Sequence, residues 1–247
     1  MKTLKALITS VFIISFSFAA IAQLKSSPYE VGINLGAGLY SGDLTPTSLS
    51  PYKSPGLFLG FSGSKKLTNA FAIQANLSFG KVRANDANYK NPEYRQQRNF
   101  NFKTSITELT ASLLWNPLGT ERILFPYFFA GAGISFLKVR RDYSNLNAEY
   151  FSNDPAITDG LPQDIAHRLP RLIPVLPAGA GIRYFLNKKI SLNLQTSYRL
   201  MSTDYLDGFS KGANPSKKDH YYTHTMGLIY SFGERNTLSC PKLSGKK

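Results

Sequence analysis

The strictest constraint in the sequence is a hydrophobic repeat of two residues. From Tyr29 to Leu39 apolar side chains occupy the odd positions, and the even positions between them are polar or glycine. The same alternation runs from Ile190 to Leu200, where Ser, Asn, Gln and Arg fill the alternate positions. Successive residues of a β-strand point to opposite faces, whereas a helix repeats every 3.6 residues. The pattern therefore predicts strands with one apolar and one polar face.

Eight segments show this alternation, and the sequence between them predicts no amphipathic helix. Most segments reach or exceed the about 9–11 residues that a tilted strand needs to cross a bilayer. Strands of soluble sheets are typically shorter, at about 5–6 residues. The eight predicted strands are 29–40, 55–64, 70–83, 99–116, 125–139, 171–186, 189–203 and 219–232.

The connections between these strands alternate between short and long. The short turns are 65–69, 117–124 and 187–188, and the long loops are 41–54, 84–98, 140–170 and 204–218. This alternation is typical of outer-membrane barrels, whose short turns face the periplasm and whose long loops face outside. We therefore predict an all-β fold: an eight-stranded antiparallel transmembrane β-barrel with four long extracellular loops.

A soluble barrel of the lipocalin type would share the strand pattern with its two faces reversed. The polar faces consist mainly of Gly, Ser, Asn and Gln, which suit a crowded interior better than a solvated surface. Aromatic residues also gather near the strand ends, as they do at membrane interfaces. They are Tyr29, Phe79, Trp115, Tyr184, Tyr198, Tyr222, Tyr230 and Phe232. Both features favour the membrane barrel.

The N-terminus predicts export. Two lysines precede an apolar run that ends at Phe18, and Ala20 and Ala22 frame a small-x-small cleavage site. The run is shorter than the ~20 residues of a helical membrane span. We therefore expect a protein of the Gram-negative outer membrane. Its parts are a cleaved signal peptide (1–22), the barrel (23–232) and a basic periplasmic tail (233–247).

The formal net charge of +14 is unevenly distributed in this topology. Acidic and basic residues balance in the long loops, so much of the excess lies at the periplasmic side. One interpretation is solubility and attraction to anionic lipid headgroups, and the other is a docking surface for an acidic periplasmic partner. The rim residues expected to face such a partner are Lys65, Lys66, Arg122, Lys188 and Lys189.

Inward-facing charges predict a polar network inside the barrel. Eight strands leave an interior just wide enough for side chains, so the lumen is filled and a diffusion porin is not expected. Unpaired charges there would be costly, which favours ion pairs across the lumen. We expect Glu108 and Arg199 to lie in the half nearer the long loops. The predicted network consists of Glu108, Arg199, Glu30, Arg183, Asn193 and Gln195.

No strong catalytic or metal-binding motif is present. The sequence has three histidines, His167, His220 and His224. They have neither the spacing of metal ligands nor a nucleophile elbow beside them, so an enzyme that acts on lipids at the barrel rim ranks last of three functional hypotheses. The single cysteine, Cys240, excludes a disulfide framework. We predict a non-enzymatic protein with no cofactor, no metal, no small-molecule substrate and no nucleic-acid partner.

Four stretches of the chain carry a family resemblance. They are Arg98–Lys103, Pro126–Gly131, Ile173–Tyr184 and, most specifically, Thr203, Asp204, Tyr205, Leu206 and Asp207. Together they resemble a family of Bacteroidota outer-membrane barrels that includes the type IX secretion component PorG. The resemblance implies outer-membrane lipids and periplasmic secretion-ring proteins, or a lipoprotein, as partners. The alternative is a structural or adhesive barrel that acts through loop 140–170.

Overall fold

The computed structural model of the chain describes residues 29–47, 49–119, 122–214 and 218–232. Eight antiparallel strands within these residues close into one barrel, in which each strand pairs with its sequence neighbours and the last pairs with the first. The predicted all-β, eight-stranded fold is therefore confirmed. The predicted signal peptide and the basic tail with Cys240 lie outside the described residues.

The strands follow the predicted segments closely. They are β1 (Tyr29–Ser41), β2 (Gly56–Lys66), β3 (Phe71–Asn85), β4 (Asn101–Trp115), β5 (Leu124–Asp142), β6 (Leu172–Phe185), β7 (Ile190–Met201) and β8 (His220–Ser231). β3 and β5 extend beyond the prediction because both continue their register with β4, so that Asn101 pairs with Asn85 and with Asp142.

The two ends of the barrel differ in their connections. At the short-turn end, β2–β3, β4–β5 and β6–β7 are joined by brief turns. At the long-loop end lie four longer connections, L1 (42–55), L2 (86–100), L3 (143–171) and L4 (202–219). The alternation predicted from the sequence is thus present in the fold.

The long loops contain short helices that the sequence pattern did not predict. L2 includes α1 (Tyr94–Arg98), and L3 includes α2 (Leu161–Ala166), which follows a π-helical turn at Ala156–Gly160. Helices of five and six residues are too short to leave a 3.6-residue repeat in the sequence. Among the described residues no helix combines the length and apolar character required to cross a membrane.

The outer wall of the barrel carries an apolar belt. Leu35 is 54% exposed and Met226 is 62% exposed, although both are large and apolar. Trp115 and Phe128 flank the belt at the short-turn end, with ring centroids 5.8 Å apart. On β4 the outward face becomes polar toward the long-loop end, where Lys103 is exposed. This distribution is what a lipid-facing wall requires, because no water is present there to solvate polar groups.

The interior is closed at the long-loop end by an apolar plug, in which loop residues pack against inward-facing strand residues. Phe100 of L2 stacks on Phe209 of L4 with centroids 4.3 Å apart. The loop residues of the plug are Leu44, Phe100, Phe151, Ile157, Leu161, Leu206 and Phe209. The long loops are therefore packed into the barrel mouth as part of the core.

Glycine makes room for one large residue of this plug. The Phe58 ring lies against Gly38 of β1 and Gly80 of β3, both on neighbouring strands. A Cβ atom at Gly38 would come within 2.2 Å of the ring, and one at Gly80 within 2.4 Å. No side chain fits at either position without displacing Phe58. Gly38 and Gly80 therefore serve close packing inside the barrel.

A charged residue in the apolar belt should destabilise the barrel. We expect Leu35→Arg to lower the free energy of unfolding by about 2–4 kcal/mol, because the guanidinium would lie in hydrocarbon. Leu49→Arg makes the same change in L1, where Leu49 is 76% exposed, and should have little effect. Urea unfolding of the protein reconstituted in vesicles measures both. Equal stability of the two variants would contradict a lipid-facing belt.

Candidate functional site

The lumen near the short-turn end is organised around Glu30. This carboxylate is 4% exposed and accepts hydrogen bonds from Arg183 Nη1 at 2.7 Å, Ser231 Oγ at 3.0 Å and Ser64 Oγ at 3.2 Å. Lys66 Nζ lies 3.4 Å from Glu30 Oε1. The structure thus brings Glu30 and Arg183 together, and Lys66 of the predicted rim joins them. Because each charge has a partner, the network closes this end of the lumen without an isolated buried charge.

The middle of the lumen is polar and nearly full. Tyr127 Oη lies 2.6 Å from Asn193 Oδ1 and 2.9 Å from Gln195 Oε1. Asn193 Nδ2 donates to Asn34 Oδ1 at 3.2 Å. An internal cavity beside Gln195 and Arg199 has a volume of about 40 Å³. A cavity of this size holds only a few water molecules, so it is no passage for solutes.

The second ionic network surrounds Glu108, which is 1% exposed. Arg199 Nε lies 3.4 Å from Glu108 Oε1, and Ser135 Oγ donates to Oε2 at 3.2 Å. Tyr221 Oη also donates to Glu108 Oε2, and Arg199 Nη1 donates to Thr223 Oγ1. The structure therefore brings together the predicted pair Glu108 and Arg199. The sequence reasoning did not select Tyr221, which completes the network.

The charged groups of the long loops include a buried carboxyl pair, Asp207 and Asp219. Tyr40 Oη lies 2.6 Å from Asp207 Oδ2 and 2.5 Å from Asp219 Oδ1. A tyrosine hydroxyl has one hydrogen, so it donates to one carboxyl and accepts from the other, which must be protonated. Burial and the neighbouring acidic groups raise the pKa values of Asp207 and Asp219 well above the ordinary range. The geometry and the raised pKa values both favour one protonated carboxyl in the pair, with Tyr40 bridging the two.

The same carboxyl pair holds the backbone of L4. Asp219 Oδ2 accepts from the amides of Leu206 at 2.9 Å and Asp207 at 3.3 Å. Asp207 Oδ1 accepts from the amide of Phe209 at 2.8 Å. These bonds satisfy backbone donors in a segment that has no strand partner, and they fix Leu206 and Phe209 in the apolar plug.

Asp164 of α2 joins L3 to L4. Its carboxylate accepts from three consecutive L4 amides, Ser210 at 3.0 Å, Lys211 at 3.1 Å and Gly212 at 2.7 Å. Tyr205 Oη donates to Asp164 Oδ1 at 3.1 Å. A fully buried carboxylate with four donors is stabilised by those bonds. Asp164 therefore holds the two loops together.

Asp86 has the corresponding role between L1 and L2. Its buried carboxylate accepts from Arg95 Nη1 at 2.7 Å and from Arg98 Nε at 2.7 Å. Arg95 Nη2 also donates to the carbonyl of Asp43 in L1 at 2.9 Å. Two guanidinium groups on one carboxylate form a strong charge-assisted cluster. The Asn214 amide of L4 also donates to Asp43 Oδ2 of L1 at 3.0 Å, so the four loops form one continuous cap.

The residues of the family resemblance lie within this cap. The stretch comprises Thr203, Asp204, Tyr205, Leu206 and Asp207, all in L4. Leu206 is fully buried and its carbonyl accepts from Thr104 Oγ1 at 2.6 Å. Ser210 Oγ donates to Asp204 Oδ2 at 2.5 Å, and the Thr203 hydroxyl accepts from the Tyr205 amide at 3.1 Å. These contacts give the stretch a structural role in closing the barrel mouth.

The five predicted rim residues lie at the short-turn end. Lys65 is exposed, with its Nζ 5.5 Å from the centroid of the Tyr29 ring. Lys188, Lys189 and Arg122 are also exposed. Among the described residues of this end, Glu30 is the one carboxylate, and it is buried in the lumen. Exposed cations therefore line this end of the barrel at the positions predicted from the sequence.

The described side-chain contacts of His224 and His167 are with hydroxyl and aromatic groups. His224, on the outer wall, has Nε2 3.0 Å from Tyr52 Oη and Nδ1 3.0 Å from Thr196 Oγ1. His167 stacks on Tyr205 with centroids 4.1 Å apart. Within the described part of the chain, no cluster of three or more His, Cys, Asp or Glu side chains could hold a metal ion.

Comparisons with known proteins give a family and a fold. The sequence model of the family described as "Domain of unknown function (DUF6089)" matches residues 5–242. Ail, the attachment invasion locus protein of Yersinia pestis, is similar with 12% identity and a TM-score of 0.44, over 83% of this chain and 98% of Ail. Neisserial surface protein A has 13% identity and a TM-score of 0.44, over 83% and 97%. OprG from Pseudomonas aeruginosa has 11% identity and a TM-score of 0.42, over 85% and 98%. These likenesses extend to the barrel fold alone, and no curated protein matches the chain.

Removing Glu108 alone should lower the free energy of unfolding more than removing Glu108 and Arg199 together. We expect Glu108→Ala to destabilise the barrel by about 3–5 kcal/mol, because Arg199 is left buried without its partner. The double variant Glu108→Ala with Arg199→Ala should recover part of this loss. Heat-dependent migration on gels and urea unfolding report the stability. Glu149→Ala, at an exposed loop position, is the control. A double variant less stable than Glu108→Ala would contradict the pairing.

The raised pKa values of Asp207 and Asp219 should make the free energy of unfolding depend on pH. Because their pKa values are raised in the folded protein, the folded state binds a proton that the unfolded state has released. The free energy of unfolding should therefore decrease as pH rises from the ordinary aspartate range through the raised range.

Asp207→Asn tests this dependence with an isosteric change. The amide can donate to Tyr40 Oη and accept from the Phe209 amide, as protonated Asp207 does. We expect the variant to lose the decrease in stability that the wild type shows at higher pH. Asp159→Asn, at an exposed L3 position, should leave the profile unchanged. Parallel pH profiles for wild type and Asp207→Asn, measured by urea unfolding, would exclude a protonated carboxyl in the pair.

Proposed function

Given that the chain belongs to the DUF6089 family, whose description names no activity, we propose that it is a non-enzymatic outer-membrane barrel that anchors a periplasmic assembly. The partner would bind at the short-turn end, which faces the periplasm in this orientation. The resemblance to the barrel family that includes PorG favours a type IX secretion assembly, through its ring proteins or a lipoprotein. Lipids of the outer membrane surround the barrel.

The outer wall supports the membrane location. Large apolar side chains point outward along every strand, whereas the charged pairs Glu30–Arg183 and Glu108–Arg199 point inward. A soluble protein rarely exposes a continuous apolar surface of this extent. Closing the sheet also leaves no unpaired strand edge, which is a requirement for strands in lipid.

The filled interior supports an anchor rather than a conduit. The Glu30 network, the Glu108 network and the apolar plug close the lumen at three levels. The polar cavity between them is about 40 Å³. A transport role would require these layers to open, which would separate the buried ion pairs and expose the apolar plug. Function is therefore expected at the surfaces of the barrel.

The basic rim is the observation that carries the proposal. Lys65, Lys188, Lys189 and Arg122 are exposed around the short-turn end. Exposed charges of one sign accelerate and orient the binding of a partner with the opposite charge. An acidic surface on a periplasmic protein complements this rim.

Reversing the rim charge should abolish anchoring while leaving the barrel folded. We expect a gene-deletion strain that expresses Lys65→Glu with Lys188→Glu and Lys189→Glu to secrete no more type IX cargo than the deletion strain itself. The wild-type gene should restore secretion. Like charges facing each other across an interface cost several kcal/mol, which is enough to prevent docking. Secreted cargo is measured in the culture medium, and barrel folding by heat-dependent gel migration.

The matched control removes three cations from the opposite end. The triple variant Lys90→Glu with Arg168→Glu and Lys211→Glu reverses the charge of three exposed loop residues. Expressed in the deletion strain, it should restore cargo secretion as fully as the wild-type gene does. Normal secretion in the deletion strain, or with the rim variant, would overturn the proposed role.

A second candidate function is surface adhesion through the long loops. The cap contains a cavity of about 620 Å³ beside α1 and L3, lined in part by Tyr94, Arg98 and Tyr150. This volume lies within the range of ligand pockets, and exposed tyrosines are frequent at binding surfaces. Loss of surface attachment after Tyr94→Ala with Tyr150→Ala, together with unimpaired secretion in the rim variant, would favour this role.

A further inference from the structure

Five cations face outward on one side of the barrel, above the apolar belt and toward the long loops. The antiparallel register of β3, β4 and β5 places them in two adjacent rows. The lower row is Lys81, Ser105 and Lys138, and the upper row is Arg83, Lys103 and Arg140. All five cations are exposed, and none forms an ion pair with a carboxylate of the described residues. These two rows are called the basic facet.

The spacing within the basic facet is electrostatically unfavourable by itself. Paired strands lie about 4.7–4.9 Å apart, and like charges directly opposite each other destabilise a sheet. Lys103 faces Arg83 on one side and Arg140 on the other. The outward positions at the corresponding ends of β7 and β8 carry no charge: Tyr198, Leu200 and Tyr222. The cations are thus concentrated on one side, where an anion would relieve their repulsion.

A cleft of about 460 Å³ adjoins the basic facet between L1 and the ends of β3 and β4. Its lining includes Lys53, Arg83, Lys103, Asn85, Asn88 and Asn101, and it contains no carboxylate. Arg83 Nε donates to the Pro55 carbonyl at 3.1 Å, which orients the guanidinium and uses one of its five donors. Cations and side-chain amides around a concave surface are the groups that bind a phosphate.

The residues below the basic facet have the opposite character. The next row toward the short-turn end is Phe79, Thr107 and Phe136, and the row after it is Leu77, Leu109 and Ile134. Five of these six side chains are large and apolar, and they are exposed on the outer wall. The surface therefore changes from apolar to cationic over the length of a few residues. An anionic lipid has the complementary arrangement, with apolar acyl chains below a negatively charged headgroup.

We propose that the basic facet and its cleft bind the phosphate of an anionic glycolipid in the leaflet at the long-loop side. Lys53, Arg83 and Lys103 contact the phosphate, Lys81, Lys138 and Arg140 surround it, and the acyl chains lie along the apolar rows beneath. The inference rests on the proposed outer-membrane location and adds a lipid ligand at the end opposite the basic rim.

The test uses the full-length protein in phosphatidylcholine nanodiscs, with diphosphorylated lipid A as the probe and native mass spectrometry to count bound lipid. Each cation near a membrane surface contributes about a fivefold factor in binding. Lys53→Gln with Arg83→Gln and Lys103→Gln should therefore weaken lipid A binding about 100-fold. The control Lys90→Gln with Arg168→Gln and Lys211→Gln removes the same charge from exposed loops and should bind as the wild type does.

Further arms identify the ligand chemistry. Dephosphorylated lipid A should bind no better to the wild type than to the triple variant. The single variant Lys103→Gln changes one exposed side chain, so the fold should be retained. It should weaken lipid A binding about fivefold. Equal binding by wild type and both cleft variants would overturn the proposal, as would inorganic phosphate that displaces lipid A at equal concentration. Unchanged lipid A binding in the cleft variants, with secretion lost in the rim variant, would overturn only the lipid site. Weakened lipid A binding in the cleft variants, with normal secretion in the rim variant, would overturn only the anchoring role, because the basic rim is unchanged in the cleft variants.

Discussion

The hydrogen bonds between β1 and β8 are the interaction on which the rest of the structure depends. They run from the pair Glu30–Ser231 to the pair Ser41–His220 and turn an open sheet into a barrel. Closure removes both sheet edges and divides every strand into an inward and an outward face. The outward face can then be apolar throughout, and the inward face must satisfy its polar groups within a narrow space. Each later feature, from the apolar belt to the buried ion pairs, follows from that division.

The barrel could be predicted from the sequence because polar and apolar residues alternate along the strands, as the inward and outward faces require. The sequence also indicated that Glu108 and Arg199 share the lumen, since both lie on polar faces of long strands. The loop sequences show no such alternation. Asp86, Asp164 and Asp219 resemble ordinary solvated loop acids in the sequence, and which amides they accept from depends on contacts between distant loops. The signal that could have suggested a packed cap was the apolar content of those loops, including Phe151 and Phe209.

The lumen and the cap solve the same problem with different groups. In the lumen, charges on strands that are not hydrogen-bonded neighbours meet side chains of opposite charge across the interior, as Arg183 of β6 meets Glu30 of β1 at 2.7 Å. In the cap, irregular backbone has no ladder, so buried carboxylates accept from main-chain amides instead. Asp164 does so for three consecutive residues of L4. Buried backbone donors must be satisfied in either case, and the carboxylates replace the missing strand partner.

This use of acidic side chains determines which charges remain for recognition. Asp86, Asp164, Asp207 and Asp219 are fully buried, so they add little to the field outside the cap. The balance of acidic and basic residues counted over the long loops therefore understates the positive charge that a ligand meets. Two clusters of exposed cations, the basic facet and the basic rim, lie toward opposite ends of the one barrel. Because the wall between them is apolar and the lumen is filled, these two surfaces can bind different ligands without competing for the same residues.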